Sequence, residues 1–188
     1  MINTEKIVID LCGGTGAWSR PYLEAGYDVR NITLPEYDVR LFELPKEKIY
    51  GVLAAPPCTY FCRMRMCRGR PTNEQFLEGL SVVDACLRIV TMTSPVFWAL
   101  ENPQGYLHNW LGSPKMKFHP YEFGDAWTKR TWVWGNFNIP LPLFTGVLPT
   151  EPKEQWINDG TNNGLSRGYE SNSITPSGFS RAFFEANR

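Results

Sequence analysis

A glycine-rich turn near the N-terminus constrains the fold more than any other feature of the chain. Residues 6–11 (KIVIDL) are an apolar run that ends in an acid, and they predict a short buried strand. Residues 12–16 (CGGTG) predict a tight turn, which is followed by a short helix that Gly26 ends. Because residues 27–34 predict a second strand, this segment starts a βαβ unit with a right-handed crossover. We therefore expect an α/β fold, with a mostly parallel sheet and helices on both faces.

The rest of the chain continues the alternation of strands and helices. Further strands are predicted at residues 50–55, 96–100 and 131–134. Helices are predicted at residues 74–92, capped by Asn73 and with Phe76, Leu77, Leu80, Val83, Leu87 and Val90 at helical spacing, and after Thr175-Pro176. A region of about 136–173 is rich in Pro, Gly, Asn and Ser, which is typical of loops. We expect a single domain over residues 1–188 with a loop-rich insert at about 136–173.

Composition excludes several classes of protein. The 188 residues carry 19 basic and 19 acidic side chains, so the chain does not coat nucleic acid by bulk charge, although a local basic surface is compatible with this balance. No apolar run reaches the roughly 20 residues that span a bilayer, and the N-terminus has no signal-peptide pattern, so we expect a cytoplasmic protein without a membrane partner. Five cysteines, an odd number, indicate reduced thiols. The gaps between Cys58, Cys62 and Cys67 do not match common zinc spacings, and we expect no metal.

The first turn suits a nucleotide-like ligand, because glycines let the backbone approach closely and a helix N-terminus offers free amides. The pattern at residues 10–16 is neither the dinucleotide fingerprint nor a phosphate-binding loop, which would end in a lysine. A cationic ligand derived from methionine favours an acid such as Asp10 beside the turn. The turn therefore indicates S-adenosylmethionine, while another nucleotide or a purely structural turn stays open.

Cys58 follows a predicted strand end, where open α/β sheets place ligands and reactive groups. Pro56 and Pro57 fix the backbone before it. No acid lies between Thr59 and Asn73, and the basic residues of this stretch are Arg63, Arg65, Arg68 and Arg70. Their charges could lower the pKa of the thiol, bind phosphates, or both. A buried structural cysteine is the alternative. Glu101, at the end of the next strand, is expected near Cys58, where it could bind a base ring or donate a proton.

In this order the motifs resemble those of the DNA cytosine carbon-5 methyltransferases, including compact phage-encoded members. Residues 10–18 (DLCGGTGAW) resemble the first motif, with Cys12 in place of the usual phenylalanine. Asp38-Val39-Arg40 is similar to the third motif, Pro57-Cys58 to the nucleophile motif, and Glu101-Asn102 to the Glu-Asn-Val motif. Residues 129–135 match the Arg-x-Arg segment weakly, with Lys129 or Arg130 as the basic group.

The resemblance implies a Rossmann-like methyltransferase of class I that transfers a methyl group from S-adenosylmethionine to carbon 5 of cytosine through an adduct on Cys58. It implies the catalytic residues Cys58, Glu101, and Lys129 or Arg130. The implied cofactor-binding residues are Asp10, Cys12, Gly13, Gly14, Gly16, Trp18, Thr33, Asp38 and Pro56. The implied DNA-binding residues are Arg63, Arg65, Arg68, Arg70 and Asn102.

Three departures from the family pattern leave alternatives open. No clear acid for the ribose stands after the second strand, where Thr33 and Glu36 lie. The closing Gly-Asn motif is absent, and the target-recognition region shrinks to about 38 residues between Gly135 and Ile174. A protein partner could supply recognition. The sequence also fits a methyltransferase of exocyclic amines, whose Pro-Pro-aromatic motif resembles residues 55–58, or a non-catalytic regulator that binds cofactor and nucleic acid.

Overall fold

In the computed structural model of the protein, the described residues are 3–62, 69–125, 127–142, 151–152 and 173–188. The strands are β1 (Ile7–Leu11), β2 (Asp28–Ile32), β3 (Ile49–Ala54), β4 (Phe97–Pro103), β5 (Met116–Phe118), β6 (Trp127–Thr128), β7 (Thr131–Asn136) and β8 (Glu151–Pro152). The α-helices are α1 (Arg20–Glu24), α2 (Asn73–Thr93), α3 (His108–Leu111) and α4 (Ser177–Ala186). Short 3₁₀ helices lie at Asn3–Glu5, Val39–Leu41 and Pro120–Phe123.

Six strands form one sheet in the order β2-β1-β3-β4-β7-β5. The pairings of β1 with β2, β1 with β3 and β3 with β4 are parallel. β7 runs antiparallel to both neighbours. Every residue of β1 is buried, as expected for a central strand covered on both faces. β6 and β8 pair separately.

Helices cover both faces of the sheet, because side chains alternate along each strand. Ile9 and Leu11 of β1 pack with Val83 and Ile89 of α2. On the opposite face Val8 joins a cluster that contains aromatic side chains from the turn, α1, β4 and α4, among them Trp18, Tyr22, Phe97, Phe179 and Phe183. The expected fold class, a mostly parallel sheet between two helical layers, is confirmed.

Helix α2 differs from the prediction at its start and on one face. Thr72 is the N-cap, in a capping box in which its side chain and that of Gln75 bond reciprocally to the backbone, so Asn73 is the first helical residue and not the cap. Leu77, predicted to face the core, is 66% exposed. Strand β4 is also longer than predicted: it continues through Glu101 to Pro103, so Glu101 lies within a strand.

None of the helices in the described part of the chain has the length and apolar character needed to cross a bilayer. Most of the predicted insert at about 136–173 lies outside the described residues, and the single-domain organisation stays a prediction.

Candidate active site

The glycine turn after β1 depends on both its neighbours and its backbone conformation. A Cβ atom on Gly13 would lie 2.4 Å from Cγ of Asp10 and 2.6 Å from Oδ1 of Asn31, so a larger residue does not fit there. Gly14 has a φ of +55° and would place a Cβ atom in open space. Cys12 takes a left-handed φ of +56°, which is uncommon for a residue with a side chain. The turn is therefore closely packed at Gly13, beside Asp10 and Asn31, and has open space at Gly14.

The end of β2 holds this turn in place. The side-chain amide of Asn31 donates to the carbonyl oxygen of Gly14 at 3.0 Å. The backbone N–H of Gly14 donates to the hydroxyl of Thr33 at 3.2 Å. Thr33 thus lies beside the turn and holds it in place. Sequence reasoning missed Asn31, although an amide directly opposite Asp10 in the β1–β2 pairing is well placed for this role.

Asp10 is fully buried, and burial raises the pKa of its carboxyl group to about 6. The hydroxyl of Ser19 donates to Oδ2 of Asp10 at 2.5 Å. Oδ1 of Asp10 and Oδ1 of Asn31 are buried without a described hydrogen-bond partner, and both flank Gly13. Two unsatisfied acceptors beside an open glycine backbone suit a ligand that carries N–H donors and positive charge.

Two residues predicted to bind cofactor are used otherwise in the fold. Trp18 is 1% exposed and packs on Phe179 and Phe183, with ring centroids 5.9 and 5.4 Å away. It belongs to the core, and we leave it out of the proposed cofactor site. Asp38 caps the 3₁₀ helix Val39–Leu41 and binds the guanidinium of Arg40, whose hydrogen bonds hold the pKa of the Asp38 carboxyl below its usual value.

Cys12 and Cys86 form a thiol contact beneath the turn. Their hydrogen bond lowers the pKa of Cys12 and raises that of Cys86, which burial raises further. Cys86 lies on α2, so the contact joins the glycine turn to the helix that covers it. The side chain of Cys12 is therefore directed to Cys86 and α2.

Strand β3 leads directly into the loop that carries Cys58. The buried side-chain amide of Asn102 donates to the carbonyl oxygen of Pro56 at 2.9 Å. Asn102 was predicted to contact nucleic acid, but it is fully buried, and it holds the loop from inside. The backbone N–H groups of Phe61 and Cys62 both donate to the carbonyl oxygen of Cys58, at 2.9 and 3.0 Å, and close a turn after it.

This turn brings the thiol of Cys62 to that of Cys58. The hydrogen bond between the Cys58 and Cys62 thiols, in which Cys58 donates, raises the pKa of Cys58 well above its usual value, as does burial, while the positive charge of Lys129 acts in the opposite direction. Sequence reasoning did not assign Cys62 a role, although its spacing of four residues from Cys58 is that of one helical turn.

Glu101 and Lys129 form an ion pair of 3.6 Å between Oε1 and Nζ. Both side chains are largely buried, 14% and 19% exposed respectively. Glu101 sits opposite Val133 in the β4–β7 pairing, so Lys129, just before β7, reaches back to it. Arg130 instead donates to the side-chain oxygen of Gln104 at 3.2 Å and is exposed. Of the two basic residues predicted, Lys129 is therefore the one beside Glu101 and Cys58.

Of the four arginines predicted to bind DNA, Arg70 alone belongs to the described residues. Arg70 is exposed just before α2. Arg63, Arg65 and Arg68 lie outside the described residues. Cys62, the last described residue before them, forms a bridge with Gly105, and a Cβ atom on Gly105 would lie 1.8 Å from the carbonyl oxygen of Phe61. Glycine at 105 thus lets the two loops meet.

The described residues form an α/β fold in which a mostly parallel six-stranded sheet is covered by helices on both faces. A solved structure with similar fold is that of a prophage-encoded protein of E. coli named as a presumed DNA modification methyltransferase, with a TM-score of 0.54 and 16% identity. The match covers 81% of this chain and 54% of the other, so the chain spans about half the length of that protein. No family model matches the chain, and the search of curated proteins gives no match.

Proposed function

We propose that this protein is an S-adenosylmethionine-dependent DNA methyltransferase that modifies carbon 5 of cytosine. The observation that carries the proposal is the convergence of Cys58, Glu101 and Lys129 at one end of β3, β4 and β7. A thiol close to an ion-paired carboxyl group and cation provides the groups that addition to a pyrimidine ring requires.

The glycine turn fits the cofactor. The unsatisfied oxygens of Asp10 and Asn31 would accept hydrogen bonds from the cationic methionine part, and the open face of Gly14 lets the ligand approach the backbone. Gly13, Gly16 and Cys12 shape the turn, and Thr33, directly after β2, holds it. When bound, S-adenosylmethionine supplies an electrophilic methyl group. β1 and β3 are adjacent in the sheet, and Ala55 donates to Leu11, so this turn lies beside the Cys58 loop.

The protein's own residues would prepare the base. The proton of the Cys58 thiol would pass to water, and the sulfur would add to carbon 6 of a cytosine that is flipped out or already unpaired. Glu101 binds the ring nitrogen and the exocyclic amine, which stabilises the electron density that moves toward carbon 5. Carbon 5 would then take the methyl group as the bond from this group to the cofactor sulfur breaks and leaves a neutral thioether. Water or another base would remove the proton from carbon 5, and elimination would release the Cys58 thiolate. Lys129 holds Glu101 in place and favours ionisation of Cys58.

A second candidate function, methylation of an exocyclic amine, is favoured by one observation. The contact with Cys62 and burial both raise the pKa of the Cys58 thiol, which does not favour a nucleophilic thiolate. Methyl transfer to an exocyclic amine would use residues 56–58 only to hold the base, so it would not need a thiolate.

Trapping on DNA that contains 5-fluorocytosine separates the two candidates. The fluorine blocks loss of the carbon-5 substituent, so an enzyme that uses Cys58 stays bound covalently, and peptide mass spectrometry should locate the adduct on Cys58. The variant Cys58→Ala should give no adduct. Cys62→Ala is the matched control and should keep the adduct, with faster formation because it removes the hydrogen bond that raises the pKa of Cys58. Methylated DNA without any adduct would support the amine mechanism instead.

A further inference from the structure

Two stretches of the sequence contain basic residues but no acid. Residues 102–121 contain two lysines and two histidines but no Asp or Glu. Residues 126–150 contain Lys129 and Arg130, again without an acid. Since the whole chain has a net charge of zero, acids and bases are segregated rather than balanced locally. The first stretch includes β5 and α3, and the second includes β7, which pairs with β5.

A continuous series of contacts joins the basic groups of these stretches. Arg130 donates to the side chain of Gln104. The next residue, Gly105, has its carbonyl oxygen 2.6 Å from Nδ1 of His108. The ring of His108 lies edge-on to that of Trp132, with centroids 5.5 Å apart, and Nζ of Lys117 sits 5.2 Å from the centre of the Trp132 ring. We call Arg130, His108, Trp132 and Lys117, together with Trp110, the basic–aromatic strip.

The groups of the strip are available for a ligand. Arg130, His108 and Lys117 are exposed, and no described carboxylate forms an ion pair with any of them. Trp110, two residues after His108 on α3, is 50% exposed, while its other side packs on Phe76 at 5.6 Å between ring centroids. Exposed cations, together with a half-exposed indole on the same short helix as His108, provide groups on which phosphates bind and bases stack.

We propose that the basic–aromatic strip binds an unpaired stretch of the DNA strand that carries the target base. The strip begins at Arg130, next to Lys129 and therefore next to Glu101 of the candidate active site. Base faces are free to stack on Trp110 only when they are unpaired, and the four-residue helix α3 is too short to fill a major groove. This inference rests on the proposed function for the position of the target base, but it makes a separate claim about binding.

The binding test uses fluorescence anisotropy of the full chain with labelled single-stranded DNA, and unlabelled duplex of the same sequence as competitor. Trp110→Ala should weaken binding about 10-fold, since stacking on an aromatic ring contributes that order of affinity per base. Lys117→Gln should weaken binding a few-fold and reduce the slope of log affinity against log salt by about 0.7, as expected for the loss of one phosphate contact to a single strand. The matched controls Lys48→Gln and Ile139→Ala, exposed residues outside the strip, should bind as the wild type does.

Three results would overturn the inference: unchanged affinity in both strip variants, an equal loss in the controls, or competition by duplex as strong as that by single strand. Circular dichroism of each variant excludes a loss that is due to unfolding. The outcome is separable from that of the proposed function. If the strip variants bind DNA normally and the wild-type protein methylates DNA, only the inference is overturned. If the strip variants lose affinity for DNA but the wild-type protein methylates no DNA, only the proposed methylation is overturned.

Discussion

Basic side chains are used differently at the two ends of the sheet. At the β2 end Arg30 pairs with Asp28 and Glu47, and Arg40 pairs with Asp38 and Glu78, all at 2.6 to 3.1 Å. At the β4–β7–β5 end Lys117 and Arg130 have no described carboxylate partner, and Lys129 binds Glu101 in a largely buried site.

The difference indicates which end meets an anion. Residues 28–48 hold five acids and four basic residues, so their charges cancel within the protein. At the opposite end, the absence of a described carboxylate partner for Lys117 and Arg130 fits the proposed DNA-binding strip, and a largely buried ion pair joins Glu101 to Lys129. The glycine turn after β1, which suits a cation, lies toward the β2 end, where the charges cancel within the protein. We call this the neutralised end. One sheet thus presents two sites of opposite electrostatic preference.

The largest effect is expected from Glu101→Gln at the β4–β7 end. The amide cannot accept from Lys129 as a carboxylate does and binds the base less well, so kcat/KM should fall about 10³-fold. Steady-state transfer of a labelled methyl group to DNA measures the loss. Cofactor affinity should stay unchanged, as should the activity of Glu185→Gln, an exposed control. A fall in kcat/KM of less than about threefold would show that Glu101 does not take part in the reaction.

A smaller effect is expected from Asp10→Asn at the cofactor turn, and it depends on pH. Because burial raises the folded-state pKa of Asp10 from 3.8 to about 6, the contribution of this group to stability is fully present below about pH 4 and is lost as the pH rises through 6. The loss amounts to about 3 kcal/mol by pH 7 as an order of magnitude.

Asp10→Asn removes that pH dependence. Its stability relative to wild type should therefore increase between about pH 4 and pH 8, while its affinity for the cofactor falls. Urea unfolding at the two pH values and calorimetry with S-adenosylmethionine provide the two readouts. An equal stability difference at both pH values would show that the carboxyl group of Asp10 titrates normally.

The smallest effect is expected from Arg30→Gln at the neutralised end. Arg30 and its two partners are 32% to 54% exposed, and ion pairs of this kind contribute less than about 1 kcal/mol. The free energy of unfolding should change by no more than that, and the DNA affinity should equal that of wild type. If Arg30→Gln weakened DNA binding as much as Lys117→Gln, basic side chains at both ends of the sheet would contribute to DNA binding, which contradicts the difference described above.

The sequence predicted the parts of the site that depend on local chemistry. An apolar strand, an acid and a glycine turn can form few structures other than the observed one, and a cysteine after two prolines has to leave its strand. The order of the strands then places Cys58 and Glu101 at neighbouring strand ends. The sheet was predictable because its strands are apolar and separated by clear turns.

Features set by tertiary contacts were not predictable in this way. Whether Trp18 faces ligand or core depends on Phe179 and Phe183, more than 160 residues away in sequence. The choice between Lys129 and Arg130 depends on the register of β7 against β4. Asn102 was misassigned because β4 continues past Leu100, which places the next side chains on alternate faces of the sheet and turns Asn102 inward to Pro56.

The central claim is that Cys58 adds to cytosine during methyl transfer to carbon 5, and its most direct test is nucleoside mass spectrometry of DNA incubated with the protein and isotopically labelled S-adenosylmethionine. The account predicts labelled 5-methyl-2′-deoxycytidine with the wild type and none with Cys58→Ala, which should still bind the cofactor. Label in N4-methylcytosine or N6-methyladenine, or an unchanged yield of 5-methyl-2′-deoxycytidine from Cys58→Ala, would contradict it.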